Sequence, residues 1–320
     1  MSLERPTTAL NPMSYRDGGT GVQRLTVDHR TTYHYNRPVM FGEHRLMFRP
    51  RDSHDLRLLD AVLKITPRAN VRWLHDVFNN SVAVAKFQEP ADILDLESVI
   101  VVDRYPLITP QFSIEPFART IPFSYPAREV PDLGRTLERH YSDPERKITD
   151  WTRRFLNQNH GATDTETFLL AVTRAIREEF QYQTRYEPGV QSPVETLEKG
   201  AGTRRDYALF MMEAVRSVGI AARFVSGYLY DSSLDGKPSD VSGAGSTHAW
   251  AQVYLPGAGW VEFDPTNGSH GTHNLVPIAV AREPEQAIPI SGTFQGSPDD
   301  FLRMTVSVTV RATNLAENTN

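Results

Sequence analysis

Between positions 24 and 35, Leu25, Val27, His29, Thr31, Tyr33 and Tyr35 alternate with mostly polar neighbours. This is the period of two that a half-buried strand requires. Comparable runs at 43–49, 59–66, 71–77, 82–87 and 94–102 predict further strands, and Asn79-Asn80 marks a hairpin turn between two of them. Short strands with turn signals every eight to twelve residues or so predict a β-sandwich. We place it at residues 22–104, behind a flexible leader at 1–21.

The pattern then changes. Pro106, Pro110, Pro116, Pro122, Pro126 and Pro131 recur through a stretch that also carries Phe112, Phe117, Phe123 and Tyr125. Proline at this density excludes a long helix or a central strand, and the aromatic residues predict a strap packed along a surface, so 105–146 is read as a connector. Apolar residues return at helical spacing in 147–157 (Ile148, Trp151, Phe155, Leu156). They do so again in 164–180 (Phe168, Leu169, Val172, Ala175, Ile176, Phe180), with Thr163 or Asp164 as the cap.

A further helix is marked at both ends. Thr203 followed by Asp206 forms a capping-box start, Ala208, Met211, Met212 and Val215 give one apolar face, and Gly219 supplies the stop. Arg204 and Arg205 then fall in the first turn, where cations oppose the helix dipole, so helix stability does not account for them.

Two strands follow, 247–255 and 260–264, joined at 256–259. A four-residue turn would pair Leu255 with Trp260 and separate His248 from Asp264. A three-residue turn with a left-handed glycine pairs Tyr254 with Trp260 and makes His248 and Asp264 diagonal neighbours on one face. We expect the second register. The alternation Leu302, Met304, Val306, Val308, Val310 predicts a last strand that completes a sheet. The core is assigned to 147–312 and a tail to 313–320.

Composition adds bounds. A chain of 320 residues with a net charge of −5 carries no basic footprint for nucleic acid or an anionic membrane. It has no apolar run of transmembrane length, and its first residues lack the apolar core of a signal peptide, from which we expect a cytoplasmic protein. There is no cysteine, which excludes disulfides and thiolate metal sites. His270 and His273 share a loop with Asp264, but no fourth ligand accompanies them, and neither a metal nor another cofactor is expected.

The order of the motifs resembles one family. G-T-x-x-D-Y-A opening a helix, "ARFVSGY" on the next strand, "HAW" on a third and "FDPTN" on a fourth are similar to the transglutaminase-like superfamily. The resemblance implies an α+β fold: a papain-like transglutaminase core, helices packed on an antiparallel sheet, preceded by an N-terminal β-sandwich domain. It also implies a Cys-His-Asp triad, whose histidine is carried over to His248 and whose aspartate to Asp264. The cysteine position falls on Arg204.

That substitution bears directly on function. A helix-start cysteine is nucleophilic because its thiolate is stabilised there. A guanidinium stays protonated and has no lone pair to offer. The expected function is therefore a catalytically impaired scaffold that binds a peptide or protein. The alternative is an active peptidase or protein-glutamine acyltransferase, if Arg204 is a variant of a natural cysteine. Asp206 is expected to cap the helix and to pair with Arg204 or Arg205, Tyr228 to line a cleft, and Trp250 and Trp260 to flank a groove or pack in the core.

Overall fold

The structure, a computed structural model, describes residues 22–105, 112–157, 161–185, 189–230, 247–271 and 274–314. The leader, Pro106, Pro110, Pro188 and His273 lie outside them.

Six strands open the chain: β1 (Gln23–Phe41), β2 (His44–Arg49), β3 (Leu56–Thr66), β4 (Ala69–His75), β5 (Ser81–Phe87) and β6 (Ala91–Arg104). Asn79, at φ +63°, turns the chain from β4 into β5. In one sheet β1 pairs with β6, and β6 with β3; in a second, β5 lies between β2 and β4. Tyr35, Val39 and Phe41 of β1 and Leu94 and Leu96 of β6 pack against Leu46, Phe48 and Ala83 of the second sheet. That shared interior explains the period of two, since each strand turns one side chain in two toward the other sheet.

The connector wraps the core. Short turns of helix at Pro116–Ala118 and Val130–Leu133 punctuate it. The Tyr125 hydroxyl donates to the Tyr254 carbonyl at 2.8 Å and accepts from the Ala221 amide at 3.0 Å.

Four helices follow, α1 (Lys147–Arg153), α2 (Thr165–Glu179), α3 (Pro193–Lys199) and α4 (Arg204–Arg216), and then strands β7 (Ala222–Leu229), β8 (Thr247–Leu255), β9 (Gly259–Asp264) and β10 (Leu275–Ala281). Asp164 caps α2 by accepting from the Thr167 amide at 2.7 Å. The strands form an antiparallel sheet ordered β9, β8, β7, β10, extended beyond β9 by the pair Ser269–His270. Ala249, Ala251, Val253 and Leu255 of β8 share a core with α4.

One amphipathic face was expected for α4, yet every residue from Asp206 to Arg216 is buried. The polar side is covered as well as the apolar one. Glu213 accepts from Arg216 Nη1 at 3.1 Å and from the His140 amide at 3.2 Å, while Arg216 donates to the carbonyls of Thr136, Ala222 and Arg282. Buried charges persist only when paired or hydrogen-bonded in this way.

The last strand, β11 (Phe301–Asn314), leaves the core and pairs antiparallel with β1 along its whole length, from Gln23 opposite Asn314 to Tyr35 opposite Phe301. Residues 313 and 314, read as the start of a tail, belong to it.

Candidate functional site

Thr203 and Asp206 build the start of α4 reciprocally. The Thr203 hydroxyl accepts from the Asp206 amide at 3.4 Å and donates to Asp206 Oδ2 at 2.8 Å, and the Thr203 amide donates to the same oxygen at 2.8 Å. Asp206 Oδ1 accepts from the Gln191 amide at 2.7 Å and from Arg185 at 3.1 Å. Asp206 is thus fully buried and committed to the cap, and its cationic partner is Arg185. The expected pairing with Arg204 or Arg205 is absent: an N3 carboxylate folds back on the N-cap, away from residues N1 and N2.

Arg204 half-projects into a cleft with its guanidinium 5.1 Å from the centre of the Tyr182 ring. Among the described residues no carboxylate pairs with it. Arg205 donates to the Pro284 carbonyl at 2.7 Å and lies over Phe224, and burial lowers its pKa.

The hairpin adopts the three-residue register: Leu255 pairs with Gly259 and Tyr254 with Trp260. Gly257 and Gly259 both take positive φ, +89° and +74°, which is why glycine stands there. His248 Nε2 consequently lies 2.6 Å from Asp264 Oδ2, with both residues buried. A carboxylate accepts, so Nε2 carries the proton and donates. Asp264 is itself held by the amides of Thr266 and Asn267 and by the Asn267 side chain at 2.7 Å. His248 Nδ1 is left buried without a partner among the described residues.

The cleft that His248 and Arg204 line has a volume of about 750 Å³ and lies between the core and the N-terminal sheets. Tyr228 lines it from β7. His29, Thr31, Tyr33 and Tyr35 of β1 line it from the other side, with Met304 and Val306 of β11 and the segment 288–294. His29 Nδ1 lies 2.7 Å from the Tyr228 hydroxyl and Nε2 lies 3.0 Å from the Thr31 hydroxyl. Burial pushes the His29 pKa down to about 4 and raises that of Tyr228.

Residues 153–265 match the family model of the transglutaminase-like superfamily, and residues 25–103 that of the bacterial transglutaminase-like N-terminal region. The chain belongs to the transglutaminase-like superfamily. The uncharacterized protein Rv2569c of Mycobacterium tuberculosis is 27% identical over 303 residues, covering 90% of this chain and 93% of the relative. ML0607 of Mycobacterium leprae, also uncharacterized, is 24% identical over 291 residues, covering 89% and 98%. A solved structure from Cytophaga hutchinsonii, provisionally described as a cysteine protease, superposes with a TM-score of 0.67 over 93% of both chains at 18% identity. That likeness supports the papain-like fold.

Within this transglutaminase-like core the two tryptophans lie away from the cleft. Trp250 is fully buried against Val225, Leu275 and Val280, and its indole N–H donates to Glu262. Glu262 also accepts from Gln252 at 2.6 Å, and burial raises its pKa to about 7. Trp260 packs on Tyr254 and under the Arg223 guanidinium, 4.1 Å from its ring centre. His270 packs edge-on against Phe112. No metal-binding cluster occurs among the described residues, and no helix there is long and apolar enough to cross a membrane.

Sequence reasoning missed His29, Thr31 and Arg185. The alternation in β1 locates His29 and Thr31 on a buried face, but nothing local announces that this face looks onto β7.

Proposed function

We propose that this transglutaminase-like chain does not carry out thiol-based acyl transfer and that its cleft binds a peptide or protein. One observation carries the proposal: Arg204, which we assign to the nucleophile position of the family pattern, opens α4 and lines the same cleft as His248, the partner of Asp264. The chain has no cysteine to replace it. Thr203, the nearest hydroxyl, is engaged with Asp206 on both its donor and acceptor sides. A histidine oriented by a carboxylate is the proton-transfer half of a triad and does not itself attack an acyl carbon. Arg204, a fixed cation in a cleft, suits a carboxylate-bearing ligand.

Arg204→Cys tests this. The variant and the unaltered protein are assayed side by side for peptide hydrolysis and for amine incorporation into a glutamine-bearing protein. We expect turnover from the variant alone, through a thiolate with His248 as acid and base and Asp264 holding its tautomer. Turnover by the unaltered protein would overturn the proposal.

A further inference from the structure

The cleft is amphipathic, and its two sides come from different parts of the chain. On the core side the cations are Arg185, Arg204 and Arg205. Arg185 is held by Asp206, and Arg205 is buried against the Pro284 carbonyl with Glu285 nearby. Among the described residues Arg204 has a ring face and no carboxylate. A cation–π contact at a partly exposed site is weaker than a charge-assisted bidentate bond to a carboxylate. On the opposite side stand Tyr33 and Tyr35 of β1, Met304 of β11 and Phe294, with Met304 48% exposed.

A second group asks for a ligand independently. His248 is 5% exposed, spends Nε2–H on Asp264, and keeps Nδ1 as a lone pair without a donor among the described residues. Buried polar atoms without partners are uncommon, and this one belongs to a cleft-lining residue. A ligand that satisfies Arg204 and His248 together presents a carboxylate and an N–H.

The geometry points to the C-terminal residue of a peptide as that ligand. Its α-carboxylate would pair with Arg204, its backbone N–H would donate to His248 Nδ1, and its apolar side chain would lie on the wall of Tyr33, Tyr35 and Met304. An aspartate or glutamate side chain holds its charge further from its own backbone N–H than an α-carboxylate does, and its α-carbon carries no apolar side chain as well. A fatty acid brings no N–H. The volume of about 750 Å³ lies within the usual range for ligand pockets and leaves room for the preceding residues. This inference rests on the binding function proposed above.

The test is fluorescence anisotropy with N-terminally labelled pentapeptide pools, randomised at the first four positions and ending in Phe or in Ser with a free carboxylate. Capping the terminus as an amide should weaken binding at least about tenfold, as should Arg204→Ala. Arg204→Lys should recover part of the loss, and N-methylation of the last residue should weaken binding by a smaller factor. Met304→Ser, at an exposed position, should erase the preference for Phe over Ser at the last position while leaving the effect of amidation intact. Thermal melts confirm that each variant is folded.

Equal binding of free and amidated pools, or no change on Arg204→Ala in folded protein, would overturn the inference. So would a complete lack of binding by every pool. If amidated peptides with internal acidic residues bind equally well while Arg204→Cys gains turnover, the proposed function stands and only the terminal-carboxylate inference fails.

Discussion

Asp206 accepts hydrogen bonds from Thr203, Gln191 and Arg185 while fully buried. Replacing it with alanine removes the cap of α4 and leaves the partly buried Arg185 facing a gap. Losing a cap costs about 1 kcal/mol, and removing one partner of a buried ion pair about 3–5. We expect Asp206→Ala to lower unfolding stability by at least about 3 kcal/mol in urea titrations at neutral pH. Asp206→Glu should not rescue it, because the longer arm cannot meet both the cap and Gln191. The cap was legible in the sequence because a capping box is complete within four residues. Arg185 was not, because its pairing depends on how the chain returns over a span that carries no pattern of its own.

At the scale of the elements, the β8–β9 hairpin was legible down to its register. Pro256-Gly257-Ala258-Gly259 admits few turns, and only one of those weighed brings His248 and Asp264 together. Burial on both sides of α4 was not legible, since residues that cover its polar face, Thr136 and His140 among them, lie in the connector, where proline spacing reveals irregularity but no docking site. Gly227 is a comparable case. In "ARFVSGY" it reads as one residue of a strand, yet it sits where β7 passes between β10 and the ring of Trp250. A β-carbon there would lie 2.1 Å from the Val276 carbonyl oxygen and 2.8 Å from the Trp250 ring. Neither can retreat without opening the sheet beside His248, which pairs with Gly227 across the ladder. Gly227→Ala should therefore cost about 3 kcal/mol, the upper end of what overpacking a core usually costs. In an Arg204→Cys background it should abolish whatever turnover that variant gains. A variant with unchanged denaturation midpoint and turnover would mean that β7 and β10 separate more freely than their packing implies.

For the molecule as a whole, the N-terminal sheets supply half of the cleft. Among the connections that hold them there are β11 returning to β1 and the hydrogen bond between the Tyr228 hydroxyl and His29. Alternation in 302–310 announced a strand but not its partner, because a half-buried strand fits either sheet. His29 makes the second connection sensitive to acid. Its neutral ring can accept from the Tyr228 hydroxyl at Nδ1 and donate to Thr31 from Nε2, and protonation would force a donor against the Tyr228 O–H. Burial holds the folded-state pKa at about 4, below the ordinary 6.5. Between those values the unfolded chain binds one more proton at this residue than the folded chain does. The contribution of His29 to stability is therefore constant above pH 6.5 and falls as pH drops toward 4, by about 3 kcal/mol over the window. His29→Gln cannot titrate and should lack this component while retaining those of every other group. Urea unfolding of both proteins from pH 7 to pH 4 should accordingly give a gap that narrows as acid is added, the variant being the less stable at neutral pH. A gap of constant width would mean that His29 titrates within the fold as it does in the unfolded chain, and below pH 6.5 the Tyr228 contact would then be a bond from an imidazolium to the tyrosine oxygen.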